Sequence, residues 1–218
     1  MGEETALCAR VRAALPPERY LHSLGTMRLA RELALSYGAD PEEAAVAGLV
    51  HDLARPLPAP RLLKAAADFG ILIGQVERAL PVLLHAPVGA ELARRHLGVS
   101  SPAVLRAVSL HATLGPDPSR LDQVVYIADK AEPSRSFPGV EELRALLRAS
   151  LERAVLRALE MTLFCLLERR SPIHPATLEG WNWLVARLGS KGGGTGDAAR
   201  DEAGPGEVPG GGAPGAEV

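Results

Sequence analysis

Six residues of this chain combine metal-ligand chemistry with apolar surroundings: His22, His51, Asp52, His85, His111 and Asp129. His51 and Asp52 interrupt the run AAVAGLVHDLA, and Asp129 lies within VVYIADKAE. An imidazole and a carboxylate buried side by side are costly unless each has a strong partner. A metal cation is one such partner. Neighbours on a helix diverge by about 100°, so His51 and Asp52 cannot share one face, yet both can reach a groove between helices. There the carboxylate is suited to bridging two ions. Asp129 offers another anionic ligand from a distant helix, and His22 brings in a third. Taken singly, each of these residues is more often a hydrogen-bonded polar group in a core. The argument for a site is their joint order, with all the histidines but His174 falling near the middles or ends of successive helices.

The elements that must position them are legible as repeated helix punctuation. Short apolar periodicity over 6–15 stops at Pro16 and Pro17, and a second helix over 18–37 closes at Gly38. Asp40-Pro41-Glu42-Glu43 supplies an N-cap, a proline at the first helical position and a carboxylate three residues after the cap, predicting a helix over 41–54. Pro56, Pro58 and Pro60 make a rigid connection to a weaker helix over 61–69, and short helices are expected over 71–84. Further helices are predicted over 86–97, 102–111 and 119–131, one long one over 141–169, and a last one over 176–188. No segment alternates with period two for long enough to force a strand, and no fixed-period repeat appears. The expected fold class is all-α.

Composition agrees. Hydrophobic residues make up 47% and aromatic ones 4%, so the core must be mainly Leu, Ala and Val, a helical mixture. With 24 Lys+Arg against 26 Asp+Glu, the chain has neither the balance of a general nucleic-acid binder nor that of a membrane-surface binder. Glu3 and Glu4 stand where a signal peptide needs positive charge, and no apolar run approaches the ~18 residues of a membrane span, so a cytoplasmic location is expected. Cys8 and Cys165 are too few for a disulfide framework or thiolate cage. Residues 189–218 hold half of the 22 glycines and have no apolar periodicity; they read as a flexible low-complexity tail behind one domain over 1–188.

The strings RYLHSLGTMRLARELA, AGLVHDLAR, LLHAPVGAELA, LHATLG, YIADKAEPSRSFPGVEELR and IHPATLEGWNWL follow one another in that order. In this the chain resembles the HD superfamily of metal-dependent phosphohydrolases, and within it the YqeK-like family of bacterial symmetrical bis(5'-nucleosyl)-tetraphosphatases. Two positions depart from the family pattern: Arg55 stands for a lysine and Ala86 for a glycine. The resemblance implies a single HD-domain helical bundle. It also implies a two-ion site in which His22, His51, Asp52 and Asp129 hold one ion while Asp52, His85 and His111 hold the other. That nitrogen and oxygen donor set suits iron, manganese, cobalt or zinc better than magnesium, and the family implies iron.

Two such ions acidify a shared water, so that a metal-bridged hydroxide attacks phosphorus without a serine or cysteine nucleophile. The implied reaction cleaves diadenosine tetraphosphate to two ADP, with Asp52 as the bridging carboxylate. Arg55, Lys130 and Arg135 are the expected phosphate-binding cations. His174 is a candidate for the edge of the site, while Trp181 and Trp183 read as packing residues and His96 as a surface residue at a helix end. A dinucleoside polyphosphate is the implied partner, and a homodimer is compatible with the family. Two rivals stand beside this reading: another HD-domain nucleotide phosphohydrolase, and a non-catalytic module that binds nucleotide or metal for signalling.

Overall fold

Caps written into the sequence set where the chain turns. The computed structural model describes residues 2–191, and among them every regular element is helical. In chain order these are α1 (Gly2–Ala14), α2 (Pro17–Tyr37), α3 (Pro41–Val50), α4 (Ala59–Asp68) and α5 (Gln75–Ala79), then a 3-10 turn (Pro81–Leu84) leading into α6 (His85–Leu92). A π turn (Ala93–Leu97) ends α6, and α7 (Pro102–Leu110), α8 (Arg120–Ala131), α9 (Val140–Leu147), α10 (Leu151–Glu168) and α11 (Pro175–Lys191) follow.

Asp40 accepts the backbone N–H groups of Glu42 and Glu43, both at 2.9 Å, and starts α3 as expected. Gly38, at φ 75°, ends α2 by donating to the Ala34 carbonyl. Ser119 and Asp122 form a reciprocal capping box at the start of α8. Ser101 caps α7 and also donates to Glu43 Oε1 at 2.6 Å, tying the starts of α7 and α3 together.

Three boundaries differ from expectation. The helix predicted over 41–54 ends at Val50, and residues 51–56 continue as turns. The long pattern over 141–169 is two helices, because Ser150 leaves helical geometry (φ −161°, ψ 120°) and caps α10 by accepting the Arg153 N–H. The last helix, expected over 176–188, continues to Lys191, and residues 192–218 of the expected tail lie outside the described residues.

Helix α8 forms the centre. Leu121, Val124, Val125, Tyr126, Ile127, Ala128 and Ala131 are all buried along it, and α2, α3, α7 and α10 pack around it. The buried apolar residues are Ala, Leu and Val with only Met27, Tyr126 and Ile127 besides, as the composition requires. Trp181 and Trp183 pack partly buried against this core. A smaller cluster of Ala54, Leu62, Ala66, Leu84 and Val88 fixes α4 and the 3-10 turn against α6. No described helix is long and apolar enough to cross a membrane.

Candidate metal centre

Five elements converge on one buried point beside α8. His22 lies in the interior of α2, His51 at the C-terminal cap of α3, Asp52 in the turn that follows, His85 at the start of α6, His111 at the end of α7 and Asp129 in the last turn of α8. All four histidines and Asp52 are buried. His51 keeps helical dihedrals at the end of α3 (φ −55°, ψ −36°), and Asp52 follows it in a tight turn closed by Leu53 N–H to the Val50 carbonyl at 3.2 Å.

All four imidazoles point Nε2 inward. His22 Nε2 lies 3.0 Å from Asp129 Oδ1 and 3.2 Å from His51 Nε2, and His85 Nε2 lies 3.0 Å from His111 Nε2. Asp52 stands between these pairs and faces them with different oxygens. Its Oδ2 is 3.4 Å from His51 Nε2 and 3.8 Å from His22 Nε2, while its Oδ1 is 3.5 Å from His85 Nε2 and 3.8 Å from His111 Nε2. Asp129 Oδ1 is also 3.5 Å from His51 Nε2.

The outward nitrogens determine what the inward ones are. His51 Nδ1 donates to the Gly48 carbonyl at 2.7 Å, His111 Nδ1 to the Val108 carbonyl at 2.6 Å, and His85 Nδ1 to the Val82 carbonyl. A neutral imidazole that donates from Nδ1 presents a bare lone pair at Nε2. Two such lone pairs about 3 Å apart repel unless a proton or a metal cation lies between them. Two carboxylates and four inward nitrogens, each held by a second partner, are a donor set of the kind that could hold a metal cation. His22, His51 and Asp129 form one cluster with ligand-like spacing, and His51, Asp52 and His111 form another.

Electrostatics without an ion point the same way. Burial opposes charge on both acids, yet the positive His51 holds Asp52, and Lys130 with His22 holds Asp129, well below the usual carboxylate range. Burial also opposes a charge on His51, but Asp52 and then Asp129 overcome it and push His51 up to about 10. His85 moves the other way, to about 3, through burial and then the neighbouring His111. A proton on His51 thus serves the two carboxylates as a counter-ion that a metal cation would displace.

The centre opens into a cleft of about 590 Å³ lined by Arg19, Arg55, Ser134, Arg135 and Phe137 among others. Of the expected cations, Arg55 and Arg135 line it. Arg135 donates from Nη2 to Asp129 Oδ1 at 2.6 Å and from Nε to the Asp129 carbonyl at 2.8 Å. Lys130 does not line the cleft; its Nζ lies 3.8 Å from the centroid of the Tyr126 ring and 3.5 Å from Asp129 Oδ2.

Two residues of the centre escaped the sequence reading. Arg19 donates to Asp52 Oδ2 at 2.9 Å, and Glu132 accepts from His22 Nδ1 at 3.0 Å. Each had a signal in the helical spacing, since Arg19 precedes His22 by three residues and Glu132 follows Asp129 by three. His174 sits apart from the centre: its Nδ1 accepts the Ala176 N–H and its Nε2 bonds Glu77 Oε1 at 3.1 Å, tying the start of α11 to α5. His96 is exposed at the end of the π turn.

The HD domain family matches residues 19–134, which span Arg19 to Ser134 and contain every inward-pointing histidine and acid described above. The chain belongs to the HD domain family. Within this family it is 37% identical over 186 residues to the symmetrical bis(5'-nucleosyl)-tetraphosphatase of Bacillus subtilis (strain 168), covering 85% of this chain and 99% of that protein. It is 34% identical over 181 residues to the protein of the same name from Halalkalibacterium halodurans, covering 80% and 93%. Among solved HD-domain structures, a predicted HD superfamily hydrolase involved in NAD metabolism from Clostridium acetobutylicum superposes with a TM-score of 0.81. It is 35% identical in sequence, with 84% of this chain and 97% of that chain covered.

Proposed function

We propose that this HD-domain protein hydrolyses diadenosine tetraphosphate at its central anhydride to give two ADP, using two divalent transition-metal ions. The observation that carries the reading is the division of Asp52, whose Oδ2 faces His22 and His51 while its Oδ1 faces His85 and His111. A carboxylate so divided suits a bridge between two ions. His22, His51, Asp52 and Asp129 would hold one of them, and Asp52, His85 and His111 the other. The substrate class follows from the names of the two relatives, and a cytoplasmic location belongs to the same proposal. Iron is the proposed metal, on the strength of the nitrogen and oxygen donors and the family resemblance.

Ions bound there would supply an acidified water and polarise the phosphoryl oxygens. The chain's own residues do the rest. Arg19, Arg55 and Arg135 bring three guanidiniums to one cleft wall, where a polyphosphate presents its oxygens. Arg135 donates to Asp129 Oδ1 and lines the cleft, so its guanidinium would stand between the acid that would hold an ion and the phosphate oxygens. Lys130, held against the Tyr126 ring, offsets the Asp129 charge at Oδ2, the oxygen that Arg135 does not take.

Arg135→Ala should therefore lower kcat/KM by about 10–100-fold, the worth of a charge-assisted hydrogen bond, while leaving metal content at the wild-type level. Loss of metal instead of substrate affinity, read by elemental analysis beside steady-state kinetics, would move Arg135 into the ligand framework.

The regiochemistry tests the function itself. Water attacks an inner phosphorus, the central bridging P–O bond breaks, and the departing ADP carries its charge over two phosphates under cationic cover. In isotopically labelled water, ADP should be the only early product, with label in one of the two molecules formed per turnover. Equal early amounts of AMP and ATP would refute the symmetric cut, and no turnover with iron, manganese, cobalt or zinc would favour a binding module.

A further inference from the structure

The four histidines are not oriented alike. His51, His85 and His111 stand at helix ends, and each uses the carbonyl three residues before it: Gly48, Val82 and Val108. His22 lies inside α2, where the carbonyls of its own turn are engaged in the helix ladder. Its outward nitrogen is met instead by a carboxylate from another helix, Glu132, the C-cap of α8.

Glu132 is 1% exposed, and its only ion-pair partner among the described residues is His22. Ser134 supplies the remaining donors, its N–H to Oε2 at 2.8 Å and its hydroxyl to Oε1. The backbone beneath is held by Arg144, which donates to the carbonyls of Ala131 at 3.0 Å, Glu132 at 2.7 Å and Arg135 at 2.9 Å. Helix α2 leaves room for the carboxylate through Gly25, since a Cβ there would run into Glu132 Oε2. A buried carboxylate facing a neutral imidazole has nothing to offset its charge. A cation on the far nitrogen of that ring supplies the offset.

We infer that Glu132 is the positioning residue of the His22 half of the centre: it fixes the His22 ring and places a carboxylate behind it, so that the ion shared by His22, His51 and Asp129 is bound more tightly than the one beside His85 and His111. This inference rests on the two-ion reading above. The asymmetry follows from the supports. The His22 half has a carboxylate behind its imidazole and Asp129 in front, whereas neutral carbonyls alone stand behind His85 and His111.

The test is a cobalt titration of the full chain, read by the visible absorption of the bound ion and by metal content after dialysis. The wild type should bind two ions with unequal affinities, and Glu132→Gln should weaken the tighter one by about 10–100-fold while the other moves less than about 3-fold. Adding Glu132→Gln to His85→Ala, which keeps only the ion of the His22 half, assigns the shift to that half. Gly25→Ala provides a second route, because alanine is the better helix former and yet must displace the carboxylate; it should weaken the same ion. Wild-type affinities for both ions in Glu132→Gln and in Gly25→Ala would overturn the inference. A wild type that binds a single ion would instead refute the two-ion reading, and Glu132→Gln would then be judged on that ion: about 10-fold weakening sustains the role of Glu132, and no change ends it.

Discussion

Asp52→Ala is expected to empty both ion sites and to lower hydrolysis by on the order of 10³-fold or more, with the helical circular dichroism retained. The size follows from position: Asp52 is the one residue whose two oxygens face both histidine pairs. Under the proposed division of ligands, every other ligand substitution leaves one half of the donor set intact. The fold should survive because Asp52 lies in the turn beyond α3 and belongs to neither apolar cluster that packs the helices together. Asp52→Asn sharpens the result, since it keeps the shape and removes the charge. Without that charge His51 loses the first of the supports for its raised pKa of about 10, so its pKa should fall in the variant. Full metal content in Asp52→Ala would remove the bridging role, whatever happened to turnover.

Much of this centre was legible because burying polar residues in apolar runs is expensive. A histidine and an aspartate inside AAVAGLVHDLA need partners, and the structure gathers them from four other elements. The convergence of those elements was not legible, nor were Arg19 and Glu132. Both belong to helical turns that read as ordinary charged surface, and only packing turns Glu132 inward behind His22. Caps were the most readable feature, with Asp40, Ser101 and Ser119 all starting helices where expected. Helix ends were harder. Nothing in the local pattern stops α3 at Val50, and the apolar period runs straight through Ser150; in each case tertiary contacts choose among conformations the local sequence leaves close in energy. His174 illustrates the converse: a histidine inside the last of the quoted strings is engaged in tying α11 to α5.

Gly48→Ala should destabilise the protein although propensity alone predicts the opposite. Replacing a helical glycine by alanine gains about 1 kcal/mol in a free helix. Here α3 crosses α2 at Gly48, and a Cβ would stand 2.9 Å from Met27 Cα, 3.0 Å from Met27 N and 3.0 Å from Thr26 C. These are backbone atoms and cannot rotate away. The flanking Ala44, Ala45, Ala47, Ala30 and Ala34 are all buried in the same core, and the atoms that a Cβ would meet are backbone that no rotamer change can move. Both helices also pack against α8, and α3 packs against α7, so neither is free to move away from the other. Overpacking against such a frame costs about 3 kcal/mol or more, leaving a net loss of about 2 kcal/mol and a Tm lower by about 4–8 °C for a domain of this size. The same displacement carries the Gly48 carbonyl, which orients His51 at 2.7 Å, away from the centre. Metal affinity should therefore fall together with Tm, and calorimetry beside metal titration reads both. A Tm that rises with undiminished affinity would show that the crossing is looser than the α2–α3 geometry requires.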